Sequence, residues 1–463
     1  MFYEELFYRD FEKPVTVCLM GAGQFGASFA RQAKKIPNLR LRAVCSLEIK
    51  DCKEALILSG IEESKISEVY TIEEAQKAYS DGKYLVSTTF DIFAPLGMEV
   101  LVESSGAPSA SAHAAALAIE NKMHVIMASK ETDSVVGPIL SRKALENNVV
   151  YSTGDGDQPS LLIGLISWAR TLGLHIVAAG KSSEYDFIYD SENKQLTCSG
   201  QKQSFSCDLE DSWYLKDKSI SEFSENRRSK MNSLSFRANP DLCEMVLVSN
   251  ATGFKFDTER MHAPVAKINE LADFFSPKED GGLLSKDGVL DIFNCLRKPD
   301  ELSMAGGEFI VVTCDDPEIW QILEDKGHIV SRDKKYACIY IPRHIMGLEI
   351  ATSIMAAATM NHSTAGKHLQ TVSDMIGYAT QDLKVGTVLK MGGHHHTIDG
   401  VGCKVCDYQI LSENSPVPFY LLGNSILKSD IPAGKTITLS DVEIPKNSAL
   451  YSLRLEQDKV CVK

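Results

Sequence analysis

Several ionisable side chains stand just past short apolar runs, where strands are expected to end. Lys181, Glu184 and Asp186 follow Leu174–Ala179, Lys130 follows Met123–Ala128, and Asp155 and Asp157 follow Val149–Ser152. In an open parallel sheet, ligands bind outside the carboxyl ends of the strands. A lysine at such a place can stabilise the negative charge that develops on a reacting oxygen, and nearby carboxylates can move protons. Glu244 joins the set from a helix whose start is marked by Asn239-Pro240, a capping residue and a proline suited to the first turn. The catalytic set expected from these positions is Lys181, Glu184, Asp157 and Glu244. The plainer readings are a helix cap for Asp157 and an exposed turn for residues 181–186.

The element that must position this set begins near the N-terminus. The apolar run Val15–Met20 breaks into Gly21-Ala22-Gly23-Gln24-Phe25-Gly26, and Ala27–Lys35 keeps a helical pattern. Strand, glycine turn and helix form the context in which G-x-G-x-x-G reads as a dinucleotide site. One glycine makes the tight turn, the second lets the backbone approach a pyrophosphate, and the third lets helix and strand pack closely. Gly21, Gly23, Gln24, Phe25 and Gly26 are therefore expected at the cofactor. So are Ser46 after the second strand, Ser105 and Gly106 after Met98–Ser104, and Lys130. Ser46, with Arg40, Arg42 and Lys50 close by, inclines the reading to NADP. Glu48 keeps NAD as the alternative, because a carboxylate favours a free 2′-hydroxyl.

Composition narrows the classes. The 463 residues are 44% hydrophobic and 24% charged, with net charge −14. This balance argues against a nucleic-acid duplex or an anionic membrane as partner, since both need a basic face. No apolar run approaches a membrane span. The acidic, amphipathic MFYEELFYRDFEKP start is read as a docked helix rather than a targeting segment. The scattered cysteines read as reduced thiols of a cytoplasmic protein. Alternating strand and helix signals fill about the first 150 residues, the pattern of a doubly wound sheet. Asp190–Lys230 is polar and is expected to form an excursion, with Arg227 and Arg228 near its end. The segment Asn239–Ile341 looks apolar enough to leave a sheet face for a second copy. After Gly366, short runs alternate with turns and suggest a small β domain. His394, His395 and His396 are read as surface histidines, because three adjacent imidazoles on a strand cannot face one ion.

Several segments together resemble the homoserine-dehydrogenase-like oxidoreductases, and within them the deoxyxylulose-phosphate-reductoisomerase-like group. They are GAGQFG (21–26), VESSGAP (102–108), ASKE (128–131), GDQP (156–159), AAGKSSEYD (178–186), NPDLCEM with SNATG (239–253), YIPRHIMGLE (340–349) and LLGNSILKSDIPAGKTITLSDV (421–442). The resemblance spans nearly the whole chain. It implies an α/β protein with an N-terminal Rossmann domain (1–154), an α+β catalytic and dimerisation domain (155–370) and a C-terminal small β domain of the SAF, or β-clip, type (371–463). The last helix of the middle domain is expected to pack back on the Rossmann domain. The resemblance also implies a homodimer, NADP or NAD, and a divalent metal such as Mg or Mn, for which Asp155, Asp157 and Glu244 are the candidate ligands. Arg343 and Arg228 are the candidates for binding a substrate phosphate or carboxylate. The activity implied is reductoisomerase-like, on a sugar phosphate such as deoxyxylulose phosphate or on a related sugar acid. Homoserine dehydrogenases carry an Asp and a Lys on the helix that here reads LCEMVLVSNA, and no Lys is present there. A semialdehyde dehydrogenase and a non-catalytic nucleotide sensor are the competing readings.

Overall fold

The computed structural model describes residues 3–461 except 9–10, 199–202, 207–208, 217, 232–233, 235, 314–315, 367 and 394–395. After a short helix α1 (Tyr3–Phe7), the chain enters β1 (Val15–Met20), α2 (Gln24–Ala33), β2 (Leu39–Cys45), α3 (Ile49–Leu58), β3 (Ile66–Glu68), α4 (Ile72–Ser80), β4 (Tyr84–Ser87), β5 (Val100–Glu103), α5 (Pro108–Glu120), β6 (His124–Met127), α6 (Lys130–Glu146) and β7 (Tyr151–Thr153). The seven strands form one parallel sheet in the order β3-β4-β2-β1-β5-β6-β7. Strands buried on both faces need continuous apolar runs, and the interior strands β1, β5 and β6 supply them. Strand order reverses between β1 and β5, so a crevice opens past their carboxyl ends.

The next elements are α7 (Gln158–Thr171), β8 (His175–Ser182), β9 (Phe187–Asp190), β10 (Gln195–Cys198), β11 (Gln203–Ser206), α8 (Ile220–Lys230), α9 (Asn239–Thr252), β12 (Lys255–Phe256), β13 (Val265–Ala266), α10 (Leu271–Phe274), β14 (Val289–Arg297), β15 (Glu308–Thr313), α11 (Pro317–Asp325), β16 (Ile329–Val330) and β17 (Tyr336–Ile341). They build a mixed sheet ordered β11-β10-β9-β14-β8-β15-β17-β16, with β12 and β13 also on β14. Helices α7 and α9 cover one face of it through Ile166, Leu247, Ile292 and Ile310. The other face is covered within the chain by Leu215, Phe223, Leu271, Phe274 and Phe275. The apolar segment 239–341 is covered in part by its own neighbours, while Leu302, Ile319 and Ile322 stay exposed. Helix α12 (Ile350–Met360) returns to the first sheet, where Ile350, Ile354 and Met355 pack with Val102 and Ile126.

Residues 190–230 are less of an excursion than their polarity suggests. Strands β9 to β11 extend the second sheet. Arg227 is fully buried and grips Glu270 through both terminal nitrogens, at 2.6 and 3.0 Å. It also donates to the carbonyls of Ser212, Trp213 and Val265. A buried guanidinium needs such a full set of acceptors, and a sequence shows none of them.

The C-terminal part contains β18 (Ser373–Ala379), β19 (Met391–Gly392), β20 (Thr397–Ile398), β21 (Val401–Asp407), β22 (Ile426–Leu427), β23 (Val442–Glu443) and α13 (Ala449–Val460). Its small antiparallel sheets match the expected small β architecture. Cys403 and Cys406 have C-x-x-C spacing on β21, but strand alternation points an odd separation to opposite faces, and both thiols are free. The C-terminal core is continuous with the rest: Leu450 and Leu453 share one cluster with Val135, Ile139 and Leu140 of α6. Gln457 adds hydrogen bonds to Ile139 N and Val135 O, each 3.0 Å. His394 and His395 lie outside the described residues. His396 is partly buried, unlike a surface histidine: its Nδ1 stands 3.4 Å from Glu131 Oε1, at the rim of the crevice.

Arg454 anchors this last helix. It is fully buried, binds Asp374 through two nitrogens at 2.6 and 2.8 Å, and donates to Asp458 at 3.0 Å and to Gln409 O at 2.7 Å. Removing one partner of a buried ion pair strands the other charge, which costs about 3–5 kcal/mol. Arg454→Met should therefore lower the unfolding free energy by about that amount in chemical denaturation. A loss of under about 1 kcal/mol, the range of an exposed pair, would show that the anchor is not structural.

Candidate active site

The glycine turn has the geometry of a dinucleotide cradle. Gly21 adopts φ +93°, and a Cβ there would stand 2.5 Å from the Ser104 carbonyl. A Cβ on Gly26 would lie 2.1 Å from Gly21 O. These two positions are closed to larger residues by the fold itself. Gly23 differs: no atom lies within 4 Å of where its Cβ would be. It is the N-cap of α2 and no side chain caps that helix, so the first-turn N–H groups face an open space suited to an anion. Ser104 Oγ ties β5 to the turn through Gly21 O at 2.9 Å. Beside it, Ser105 Oγ meets Glu103 Oε1 at 2.5 Å and Gly106 N donates to Ser129 Oγ at 2.9 Å. At the ribose end, Ser46 Oγ faces Ala22 N at 3.5 Å. Arg42 stacks on Tyr79 and Tyr84 and donates to the carbonyls of Tyr79 and Lys83, while Arg40 donates to those of Pro37 and Leu39. Neither arginine is directed at a 2′-phosphate. Exposed Lys50, just past the N-cap of α3, remains. These residues fit a bound dinucleotide.

Where the two sheets meet, Lys130, Lys181 and Glu244 converge. Lys130 opens α6, Lys181 is near the end of β8, and Glu244 projects from α9. One carboxylate joins both ammoniums: Glu244 Oε1 accepts from Lys130 and Oε2 from Lys181. Lys181 is 1% exposed and also donates to Gln158 Oε1 at 2.7 Å, with Asp241 Oδ1 at 2.9 Å. Two of its N–H donors go to Glu244 and Gln158, and Asp241 adds its charge without a hydrogen bond. Lys130 keeps 22% side-chain exposure and has Asp157 Oδ1 at 3.6 Å. Asp157 is the N-cap of α7 as well, accepting from Gln158 N at 3.0 Å, so the plain reading of a helix cap and a place beside Lys130 fall on the same residue.

Electrostatics follow from burial and pairing. Burial alone would raise the Glu244 carboxyl, but Lys130 and Lys181 outweigh it and hold it down at about 2. Burial would likewise lower both lysines; Asp157 and Glu244 raise Lys130 well above its ordinary value, and Asp241 and Glu244 raise Lys181. Both ammoniums stay charged over any working pH.

The other expected residues lie elsewhere. Glu184 is half-buried beside Tyr185, in the turn past the end of β8. Asp155 turns toward Ser160, with its main-chain N–H bound to Ser353 Oγ at 2.9 Å. Arg228 is held by the carbonyls of His262 and Ala263 and lies near Asp291. Asp291 pairs with Gly180 and Ile292 with Lys181; because neighbouring strand residues alternate faces, Arg228 belongs to the opposite side of the sheet from Lys181. Arg343 is exposed past β17, next to His344, whose Nδ1 meets Gly306 O at 2.8 Å. The metal set does not fit: Asp157 and Glu244 face ammoniums, and Asp155 points to α7 and α12. Among the described residues, no group of three or more His, Cys, Asp or Glu could hold a metal ion. No helix of the structure is long and apolar enough to cross a membrane, among the described residues.

Three buried members of the site were not singled out from sequence: Gln158, Asp241 and Glu308. Asp241 stands three before Glu244 on α9, on the same helix face, a spacing that could have revealed it. Its cap-like position after Asn239-Pro240 concealed it; the structure makes Ala238 the N-cap and Asp241 part of its capping box. Glu308 opens an apolar strand immediately after Gly306-Gly307, and an acid at that place is its only local signal.

A family model described as the catalytic domain of oxidoreductase DRL matches residues 156–350. No curated protein matches the chain. Among solved structures, a putative NADPH-dependent oxidoreductase from Desulfitobacterium hafniense is 9% identical over 76% of this chain and 90% of its own, with TM-score 0.34. The 1-deoxy-D-xylulose 5-phosphate reductoisomerase of Zymomonas mobilis, solved with NADPH, is 13% identical over 51% and 58%, with TM-score 0.30. GenD2 of gentamicin A biosynthesis, solved with NAD, is 17% identical over 40% and 48%, with TM-score 0.28. The chain spans about half the length of the first solved structures it matches, 48% in each case. The region holding Lys181, Asp241, Glu244 and Glu308 is thus similar to an oxidoreductase catalytic domain, set beside a Rossmann sheet.

The open space at Gly23 generates a specific outcome. Gly23→Val should fold with a wild-type melting temperature, because nothing in the protein occupies that space. It should lose NAD(P)H binding in calorimetry by at least about tenfold, about 1.4 kcal/mol. Unchanged cofactor affinity would mean that the dinucleotide does not cross this turn.

Proposed function

We propose that the protein is an NAD(P)H-dependent oxidoreductase with isomerase character, acting on a sugar phosphate such as deoxyxylulose phosphate or on a related sugar acid. The observation that carries this reading is the Lys130–Glu244–Lys181 bridge, which sits where the cofactor crevice meets the catalytic sheet. A bound nicotinamide would supply or accept a hydride at a substrate carbon. Lys130, partly exposed and not saturated, polarises the carbonyl oxygen. Lys181 acts as a positioning residue: it fixes Glu244 and Asp241 and keeps their charge from repelling a developing alkoxide. Exposed Arg343 is the proposed partner of a substrate phosphate or carboxylate at the mouth of the site. NADP(H) is the proposed cofactor, with Ser46 and Lys50 at the ribose. The same reading takes the protein as a cytoplasmic homodimer whose C-terminal part is of the SAF type.

The test is a panel of sugar phosphates and sugar acids, scored by NADPH and NADH consumption and by mass spectrometry of the product. Turnover with a rearranged, reduced product is expected. Cofactor binding without turnover of any member would favour a nucleotide sensor and overturn the reading. With a substrate in hand, Lys181→Met should lower kcat by about 10²-fold or more, the scale of one lost electrostatic contact, while the Kd for NADP(H) changes little. Lys181→Arg, which keeps the charge, should recover part of the loss. Wild-type kcat in Lys181→Met would remove the lysine from the chemistry.

A further inference from the structure

Glu308 is the one acid of the site that the protein leaves without a partner. It is fully buried, and neither carboxylate oxygen has a hydrogen-bond partner. It is also placed in register: β15 pairs with β8 so that Glu308 lies directly across from Lys181, and residues opposite one another in a ladder share a face of the sheet. Two neighbouring polar atoms are orphaned too, Gln158 Nε2 and Asp241 Oδ1, although the latter has the Lys181 ammonium at 2.9 Å. Buried polar atoms are nearly always satisfied, and a cluster of exceptions calls for an explanation. Lys181 does not satisfy Glu308: its hydrogen bonds go to Gln158 and Glu244, and its ammonium also faces Asp241.

We propose that Glu308 is the proton donor of the reaction, and that its carboxyl meets the substrate oxygen that Lys130 polarises. The inference rests on the oxidoreductase reading. In the reductive direction, hydride from NAD(P)H forms a C–H bond at the carbonyl carbon and the π pair moves to oxygen. The O–H bond of Glu308 breaks as the alcohol O–H forms, leaving a carboxylate and NAD(P)+. The oxidative direction runs the same transfers backwards. The proton is restored from water when product leaves. Lysines held as firmly charged as these are poor proton donors, whereas the groups around Glu308 favour the protonated form of its carboxyl. Burial raises it well above its ordinary value, Lys181 on β8 opposes this, and Glu244 on α9, Asp157 at the start of α7 and Glu349 before α12 add to it.

Two variants decide the matter. Glu308→Gln preserves shape and cannot give up a proton in this way. Its kcat should fall about 10²- to 10⁴-fold, the scale of general acid catalysis, with cofactor Kd unchanged. The high-pH limb of the wild-type rate in the reductive direction should be absent from what remains. Glu308→Leu tests the buried carboxyl without a substrate. A carboxyl whose folded value lies above its ordinary 4.5 gives full stability below that pH and loses it as pH rises toward the folded value. Glu308→Leu should therefore melt at or above the wild-type temperature at pH 8, with the difference growing in the variant's favour as pH rises from below 4.5 toward the folded value. A melting temperature several degrees below wild type at pH 8 would make Glu308 a structural group and overturn the proposal. So would a Glu308→Gln enzyme with wild-type kcat and an unchanged pH limb. If no substrate turns over in the wild type, the oxidoreductase reading fails by itself, and the melting series still decides whether the carboxyl is a structural partner.

Discussion

Two ammoniums and three carboxylates are held together with little water at the seam between two sheets. Removing one such ion from water costs several kcal/mol even after relaxation. Lys130 and Lys181 are tolerable there only because Glu244 serves both, with Asp157 and Asp241 completing the set. This requirement fixes much else. It sets Lys181 near the end of β8 and Lys130 past the end of β6 in the other sheet, turns one face of α9 toward the seam, and makes Gln158 and Asp157 at the start of α7 part of the same network. The opening helix turns and strand ends need not be rigid on their own; the charges lock them to one another.

The same account explains which parts of the molecule a sequence can show. The glycine turn is local: Gly21 and Gly26 are demanded by contacts with residues of one supersecondary unit and with Ser104, and their spacing survives in the string. Lys130, Lys181 and Glu244 are legible as charged residues beside apolar runs. Asp241 was hidden because an acid near a helix start already has an ordinary role as a cap. Glu308 was hidden because its partner across the ladder, Lys181, is far away in sequence, and a strand register is not written in either segment alone. Arg228 and Arg42 were misdirected for the opposite reason. Each lies close in sequence to a functional segment, but strand alternation and main-chain carbonyls draw its guanidinium elsewhere.

The C-terminal part shows a similar limit. Its turn-rich pattern marks small antiparallel sheets well. Arg454 meeting Asp374 holds its last helix to β18, and Gln457 reaching the main chain of α6 ties that helix to the rest; both are pairings between distant segments. His396 likewise meets residues distant in sequence, Glu131 and Gly106, at the rim of the crevice. Strand alternation read from the sequence places all three adjacent histidines on the surface.

The central claim is that the lysine–glutamate seam is the reacting centre of a nicotinamide-dependent oxidoreductase. A crystal structure of the NADPH complex with a non-reacting sugar-phosphate analogue tests it most directly. The account predicts the nicotinamide ring over the seam, and the oxygen of the analogue at the reacting carbon within hydrogen-bonding distance of Lys130 Nζ and the Glu308 carboxyl. An analogue bound away from these two groups, or a nicotinamide ring directed away from the seam, would contradict it.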